Sequence, residues 1–320
     1  MSENSPPLTI IIPNYNGSHL LKRNLPAVIG AVKNYPGSTR IIVVDDASQD
    51  ESREMLTDNF PFLDVVKHET NLGFAEAVTT GVRESDTEFL ILLNSDVIPN
   101  ESFISPLIMQ LQKPDVFSVS PLIVDEHNSI NKYSWNRRII KWGKLTFLPW
   151  TLEEAFKKAQ TEDLESLFAS GGSMAMKKAM FEQLDGFLPI FKPFYKEDFD
   201  LGIRAWQRGW RTIFEPKSLV VHEERGCISE NVRRETVVYA QQRNSFLFEW
   251  IHISNRFLFF SFFPRYIRQL CGRIFAWDKI FVKAFIDATK KLPEVLAARK
   301  KINKTSRISF EELLDYLTRS

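Results

Sequence analysis

Three short apolar runs in this chain stop abruptly at polar residues. Leu8–Ile12 gives way to Pro13-Asn14-Tyr15-Asn16, Arg40–Val44 to Asp45-Asp46, and Glu88–Leu93 to Asn94-Ser95-Asp96. Apolar, β-branched runs bounded by turn formers read as buried strands. Leu63–Lys67 and Val116–Val124 read as further strands. Leu20–Val32, Phe74–Val82 and Phe103–Leu111 carry apolar residues at helical spacing. Strands alternating with helices predict an α/β fold, a parallel sheet with helices on both faces. Ligands of such sheets bind beyond the carboxyl ends of the strands, where these polar residues fall. Asp and Asn also serve as turn formers and helix N-caps, so one such end says little. Three on one sheet edge point to a ligand site.

After Val124 the pattern loosens, and Asp125–Leu167 reads as an irregular insert or flexible lid. Order returns with a strand over Phe168–Met176 containing Gly171-Gly172, then a helix over Lys177–Leu184. Glu197-Asp198-Phe199-Asp200 opens a helix that ends near Gly209. Arg211–Phe214 and Ser218–Val221 read as short strands, with His222 after the second. From about Gly226 the chain turns helical and aromatic. The expected division is an α/β domain over 1–225, with site segments at 8–97 and 168–222, and a helical, aromatic and basic C-terminal region over 226–320.

Composition narrows the classes. A chain of 320 residues buries a full core without staples. Its two cysteines, Cys227 and Cys271, stand in no ligand-like spacing, which argues against a disulfide scaffold or zinc finger and fits a reducing compartment. The N-terminal MSENSPPLTIIIP has no basic stretch before an apolar one, so no signal peptide is expected. The net charge of +1 hides an asymmetry: residues 256–320 carry +8 and the remainder −7. Nucleic acid is not an expected partner.

The polar edge suits a nucleotide diphosphate. Tyr15 offers a wall for the base, and Asp45 or Asp46 a carboxylate for the ribose hydroxyls. Oxygen ligands around Asp96 suit Mg²⁺ or Mn²⁺, which take one or two carboxylates plus substrate phosphates. Acids in a first helical turn are favoured by the helix dipole whatever their role. Asp200 fits that reading, or a cap on a neighbouring loop. Asp198 and Glu197 share that turn, and a carboxylate there can take a proton from a ligand hydroxyl within reach. His222 follows a strand and is either a structural hydrogen-bonder or a metal ligand, whereas His19, His68, His127 and His252 read as structural.

Seven segments resemble the family-2 glycosyltransferases: IIIPNYNG at 10–17, VVDDASQD at 43–50, NLGFAEA at 71–77, LLNSDV at 92–97, SGGSMAMKKAMFEQLDGF at 170–187, YKEDFDLGIRAWQRGW at 195–210 and EPKSLVVH at 215–222. They stand in the family's order over about residues 8–222. The resemblance implies the GT-A fold, a mixed, mostly parallel sheet. It implies that Pro13, Tyr15 and Asp46 contact the donor nucleoside, that Asp96 binds the metal, that Asp198 is the base and that His222 is a second metal ligand. Asn14, Asn16, Asp45, Asn71, Gly73, Phe74, Asn94 and Ser95 complete the expected donor site, and Glu197, Gly171 and Gly172 the acceptor site. The chain departs from the family at Asn94, where the first acid of Asp-x-Asp is common, and at Thr79-Thr80, where an Asn is common.

The implied function is an inverting, metal-dependent transfer from a UDP- or dTDP-sugar to a saccharide or lipid-linked acceptor in cell-envelope polysaccharide synthesis. The alternative is a non-catalytic relative that binds carbohydrate or nucleotide-sugar. An oxidoreductase would need Gly-x-Gly-x-x-Gly after the first strand, where this chain has PNYNGS. A sugar nucleotidyltransferase would need a Gly-rich, basic loop there. Residues 246–285 hold 13 of the aromatics, and the apolar run between Arg256 and Arg265 has only eight residues, too few to span a bilayer. These aromatics suit a membrane surface, a homodimer interface or packing on the catalytic domain. The expected location is the cytoplasm, peripheral on the inner face of the cell membrane.

Overall fold

A computed structural model describes residues 5–223 and 232–319; the expected boundary at 225/226 and Cys227 lie outside the described residues. Strands β1 (Leu8–Asn14), β2 (Thr39–Asp45), β3 (Asp64–Lys67) and β4 (Phe89–Leu93) run parallel in the order β3-β2-β1-β4. Helices α1 (Ser18–Asn34), α2 (Ser52–Asn59) and α3 (Phe74–Glu84) make the crossovers. β5 (Val97–Pro99), α4 (Ile104–Leu111) and β6 (Val116–Val124) follow. The sheet has two cores because side chains alternate across it. Ile10 and Ile12 face α1 and α4, and Ile11 and Val44 face α3. The second half of the sheet is mixed. β10 (Ser173–Lys177) lies antiparallel between β4 and β6, and β11 (Arg211–His222) runs parallel to β6. The edge strand β5 is antiparallel to β11. The sheet is thus the mixed one that the resemblance implied; the strand–helix alternation alone does not show its antiparallel strands.

The expected irregular insert at Asp125–Leu167 is a built unit. β7 (Arg138–Lys141) and β8 (Lys144–Phe147) form a hairpin, α5 (Leu152–Lys158) follows, and β9 (Leu164–Ser166) pairs with β11. Trp142 and Gly143 at the hairpin tip both have positive φ, the two-residue turn that matches strand twist. Asn-Gly would have announced such a turn; Trp-Gly does not. Trp135 is buried against Phe214 and Trp150, which fastens the insert to the sheet. Two strand expectations also change. Phe168–Gly172 is loop, and β10 begins at Ser173. Arg211–His222 is one strand with an irregularity between Glu215 and Leu219, so His222 is its last residue.

Helices α6 (Lys178–Gln183) and α7 (Glu197–Gln207) precede β11. The C-terminal region contributes α8 (Arg234–His252), α9 (Phe263–Phe275), α10 (Lys279–Lys290), α11 (Leu292–Asn303) and α12 (Phe310–Arg319). It packs on α7 through one apolar cluster that includes Phe199, Ile203, Trp206, Phe248, Phe310 and Leu313. The Phe199 ring stacks on Phe168 at 4.6 Å and on Phe248 at 4.2 Å. Within this cluster the fully buried Asp200 carboxylate accepts from Arg204 Nε at 2.7 Å and lies 2.9 Å from His252 Nε2. Arg204 also donates to the carbonyls of Leu184 and Gly186. Burial pushes the Asp200 pKa up, but Arg204 and His252 outweigh it, and the net displacement is downward.

Removing one partner of a buried pair strands the other charge, which costs about 3–5 kcal/mol. Asp200→Asn should therefore lower unfolding free energy in urea by about that amount. A loss under about 1 kcal/mol would show that the network contributes little. Because the folded pKa is depressed, the Asp200 contribution is full above the unfolded value of about 3.9 and fades as pH falls through the folded one.

Candidate active site

The β1–β2 register sets Asn14 opposite Asp45, so two of the polar strand ends touch. Asn14 Nδ2 lies 3.2 Å from Asp45 Oδ2, 3.2 Å from Ser48 Oγ and 3.1 Å from Ser52 Oγ. Arg53 donates to Asp45 Oδ1 at 2.7 Å. Asp45 is thus spent on structure, holding the turn after β2. Asp46 accepts from the backbone N–H groups of Leu72 and Gly73, both at 2.8 Å, and fixes the 71–73 loop on which Asn71 lies exposed. His68 bridges Asp46 at 2.7 Å and Thr80 at 2.9 Å, a structural role as expected of it. Asn16 has φ +51° and accepts from the Gln49 N–H at 2.7 Å. Pro13 and Tyr15 are half-buried on the same edge.

The third strand end carries the acid. Asn24 donates to the Ser95 carbonyl at 2.9 Å and holds the 94–96 loop. Asp96 is buried, and its Oδ1 has no hydrogen-bond partner among the described residues. His222 Nε2 lies 3.5 Å from that oxygen, too far for a good hydrogen bond. The buried Asn94 Oδ1 is also unpartnered. An orphaned carboxylate oxygen beside an imidazole nitrogen fits a divalent cation, with Asp96 and His222 as ligands. No group of three acidic, His or Cys side chains converges among the described residues, so a cation here needs oxygens from the ligand. Burial pulls the His222 pKa down, yet Asp96 and Glu223 raise it more, and the net displacement is upward.

Gly171 and Gly172 join the two halves of the site. Gly172 accepts from the Asn94 N–H at 2.9 Å, and Gly171 donates to Asp198 Oδ2 at 3.1 Å. A Cβ on Gly171 would sit 3.4 Å from Asp198 Cβ and 3.6 Å from the Phe74 ring. The Phe199 N–H holds the other Asp198 oxygen at 2.7 Å. Burial pushes both Asp198 and Glu197 up, Glu197 to about 8, with the neighbouring Asp198 charge adding to the displacement of Glu197. Asp198 has two N–H donors that favour its ionised form, whereas Glu197 Oε2 has no partner among the described residues.

The sequence gives no hint of what holds this helix start in place. Tyr195 and Lys196 have φ +75° and +82°, a left-handed conformation costing about 1–3 kcal/mol per residue. Asn244 of α8, fully buried, donates to the carbonyls of Phe194 at 2.9 Å and Tyr195 at 3.0 Å, and also to Phe191. Asn244 stands in the polar run QQRNS at 241–245, where nothing in the sequence sets it apart from its neighbours.

The model of the family described as Glycosyl transferase family 2 matches residues 9–185. The chain belongs to that family. It is 25% identical over 237 residues to the pre-mycofactocin glycosyltransferase of Mycobacterium tuberculosis, a match covering 71% of this chain and 45% of that protein. The chain thus spans under half the length of that relative. It is 22% identical over 239 residues to the N-acetylglucosaminyl-diphospho-decaprenol L-rhamnosyltransferase of the same organism, covering 68% of this chain and 76% of that one. The crystal structure of GalNAc-T7 with UDP, GalNAc and Mn²⁺ superposes with a TM-score of 0.60 at 21% identity, covering 79% of this chain and 49% of that one. The likeness shows the fold, GT-A, as the resemblance implied.

A metal at Asp96 and His222 must displace any proton on His222. Mn²⁺ binding in the presence of UDP should therefore tighten as pH rises through the His222 pKa, and release protons below it. Calorimetry in two buffers of different ionisation enthalpy measures that release. His222→Ala should remove the pH dependence and Asp96→Ala the binding itself. Binding that is pH-independent in the unaltered protein would remove His222 from the ligand set.

Proposed function

We propose that this protein transfers a glycosyl group from a nucleotide diphosphate donor to an acceptor hydroxyl, inverting the anomeric carbon. The observation that carries the reading is the Gly171-Gly172 link, which ties the Asn94-Ser95-Asp96 loop to Asp198. The donor lies along the ends of β1, β2 and β4, as a UDP- or dTDP-sugar; the UDP of GalNAc-T7 supports this. When bound, Mg²⁺ or Mn²⁺ neutralises charge on the departing diphosphate. Glu197, protonated, donates a hydrogen bond to the acceptor, and Asp198 accepts the hydroxyl proton as that oxygen attacks the anomeric carbon. The carbon–oxygen bond to the diphosphate breaks as the new one forms, and no glycosyl-enzyme is needed.

Asp198→Asn should lower kcat at least about a hundredfold with donor affinity nearly unchanged. Glu197→Gln, which keeps a donor in place, should retain most of the rate. NMR of the product must show inversion. Near-normal turnover in Asp198→Asn, or retained configuration, would overturn the assignment. The rate should rise with pH along an acid limb displaced above the ordinary Asp range, since burial raises Asp198.

Residues 1–225 then form the catalytic unit, and 226–320 bring it to a membrane surface. Among the described residues no helix is long and apolar enough to cross a bilayer. α9 and the turn before it are two-sided. Phe262, Arg265 and Tyr266 are buried, while Phe259, Phe260, Phe263, Phe275 and Trp277 are exposed. Exposed Arg256 and Arg268 suit anionic headgroups. The setting is the inner face of the cell membrane, with a lipid-linked or saccharide acceptor of envelope polysaccharide. Vesicle co-sedimentation should rise with anionic lipid, fall with salt, and weaken in Phe260→Asp/Phe263→Asp. No vesicle binding, together with a concentration-dependent homodimer that the same double variant dissolves, would assign the patch to a subunit interface instead.

A further inference from the structure

A cleft of about 340 Å³ lies between the β7–β8 hairpin, α8 and α9, beside the loop that leads into Asp198. Arg138, Lys144 and Lys196 line it, with Gln241, Ser245 and Gln269. Two of its cations meet on one ring: the Arg138 guanidinium carbon is 4.6 Å from the Phe199 centroid, and Lys196 Nζ is 5.3 Å from it. Arg138 is buried, and its Nε is spent on Asn136 Oδ1 at 3.0 Å. Among the described residues neither Arg138 nor Lys196 forms an ion pair with a carboxylate; their other side-chain partners are uncharged, the Phe147 ring at 4.0 Å and Tyr133 for Arg138 and the Phe248 ring at 5.8 Å for Lys196. Glu249, the acid of the cleft, is committed to Arg265 and the Tyr266 hydroxyl. Asp198 attracts both cations, but its oxygens are held by the N–H groups of Gly171 and Phe199.

A buried cation, Arg138, and a half-buried one, Lys196, that face one space without an ion pair favour an anion that enters it. Burial pulls Lys196 down to about 8, with Arg138 adding to the displacement, and pulls Arg138 down to about 10. The outer wall of the cleft is α9, whose opposite face exposes Phe263, Ile267 and Ile274. We propose that this cleft binds the phosphate or pyrophosphate group of a lipid-borne acceptor, with Arg138, Lys196 and Lys144 as its ligands and the lipid running along the outer face of α9. The placement sets the acceptor's sugar toward Asp198. The identity of the ligand as acceptor rests on the glycosyl-transfer reading; binding of the anion does not.

Calorimetry on the full chain, saturated with UDP and Mg²⁺ so that the donor edge is filled, tests it with farnesyl diphosphate, farnesol and inorganic pyrophosphate. Farnesyl diphosphate should bind at least tenfold more tightly than farnesol. It should lose about tenfold in Arg138→Gln and about threefold in Lys144→Gln, whose exposed position spares the fold. UDP affinity should stay within twofold in both. Equal binding of farnesol and its diphosphate, or undiminished binding in both variants, overturns the proposal. Inorganic pyrophosphate binding as tightly as the prenyl probe overturns the lipid-borne assignment. Failure of the unaltered protein to bind UDP, with the prenyl diphosphate still bound, would count against glycosyl transfer and leave the cleft standing.

Discussion

The contact on which the molecule depends is the buried carboxylate of Asp200. It stands one residue beyond the Phe199 ring that stacks on Phe248, and it binds Arg204 and His252 at once. Helix α7, the Leu184–Gly186 turn and the C-terminal helices meet through this group. An ion pair with no exposed side tolerates little displacement, because each partner left alone is an uncompensated charge. The position of Asp198 in the site is therefore inherited from a residue that touches no substrate.

The same logic explains the strained turn before α7. Tyr195 and Lys196 could relax out of the left-handed region if the chain were free. Asn244 prevents that by holding the carbonyls of the 191–195 loop, and Arg243 adds a bond to the Lys192 carbonyl. Both belong to α8, so the C-terminal region sets the geometry of the acidic pair as well as covering it. Without α8 the start of α7 would lose the bonds that Asn244 and Arg243 make to the 191–195 loop.

Much of this was legible in the sequence. The apolar strands and the polar groups at their ends followed from residue type alone, because a buried parallel strand has little alternative to an apolar run. Asn14, Asp45, Asn94 and Asp96 do fall on one edge. The roles within that edge were less legible: Asp45 looked like a sugar ligand and is tied to Arg53, a partner eight residues away that no pattern marks. The hairpin at 138–147 was missed because its turn is Trp-Gly. The antiparallel β10 was missed because strand direction is set by connection geometry, which composition does not carry. The aromatic C-terminal run held two answers at once. Phe262 faces the core while its neighbours Phe260 and Phe263 face outward, a split set by the helix period and by Tyr266 beneath.

Charge placement separates the two ends of the site. At the donor edge the acids Asp96 and Glu223 lie together, and the arginines there are already used: Arg23 by Glu223, Arg53 by Asp45. On the proposed reading, a diphosphate entering that edge meets negative charge and, among the described residues, arginines already paired, and a divalent ion between them would offset that charge. Asn94 in place of an acid fits this balance, since one charge fewer leaves the ion dependent on the diphosphate for its remaining ligands. At the acceptor end the arrangement is reversed. Arg138 and Lys196 are protein cations with no ion pair among the described residues; Arg138 is buried and Lys196 half-buried, which limits neutralisation by solvent ions. An anion can be taken there directly. Two anionic substrates can then approach one carboxylate pair from opposite sides, one screened by a metal and the other by side chains, without either charge being pressed against Asp198.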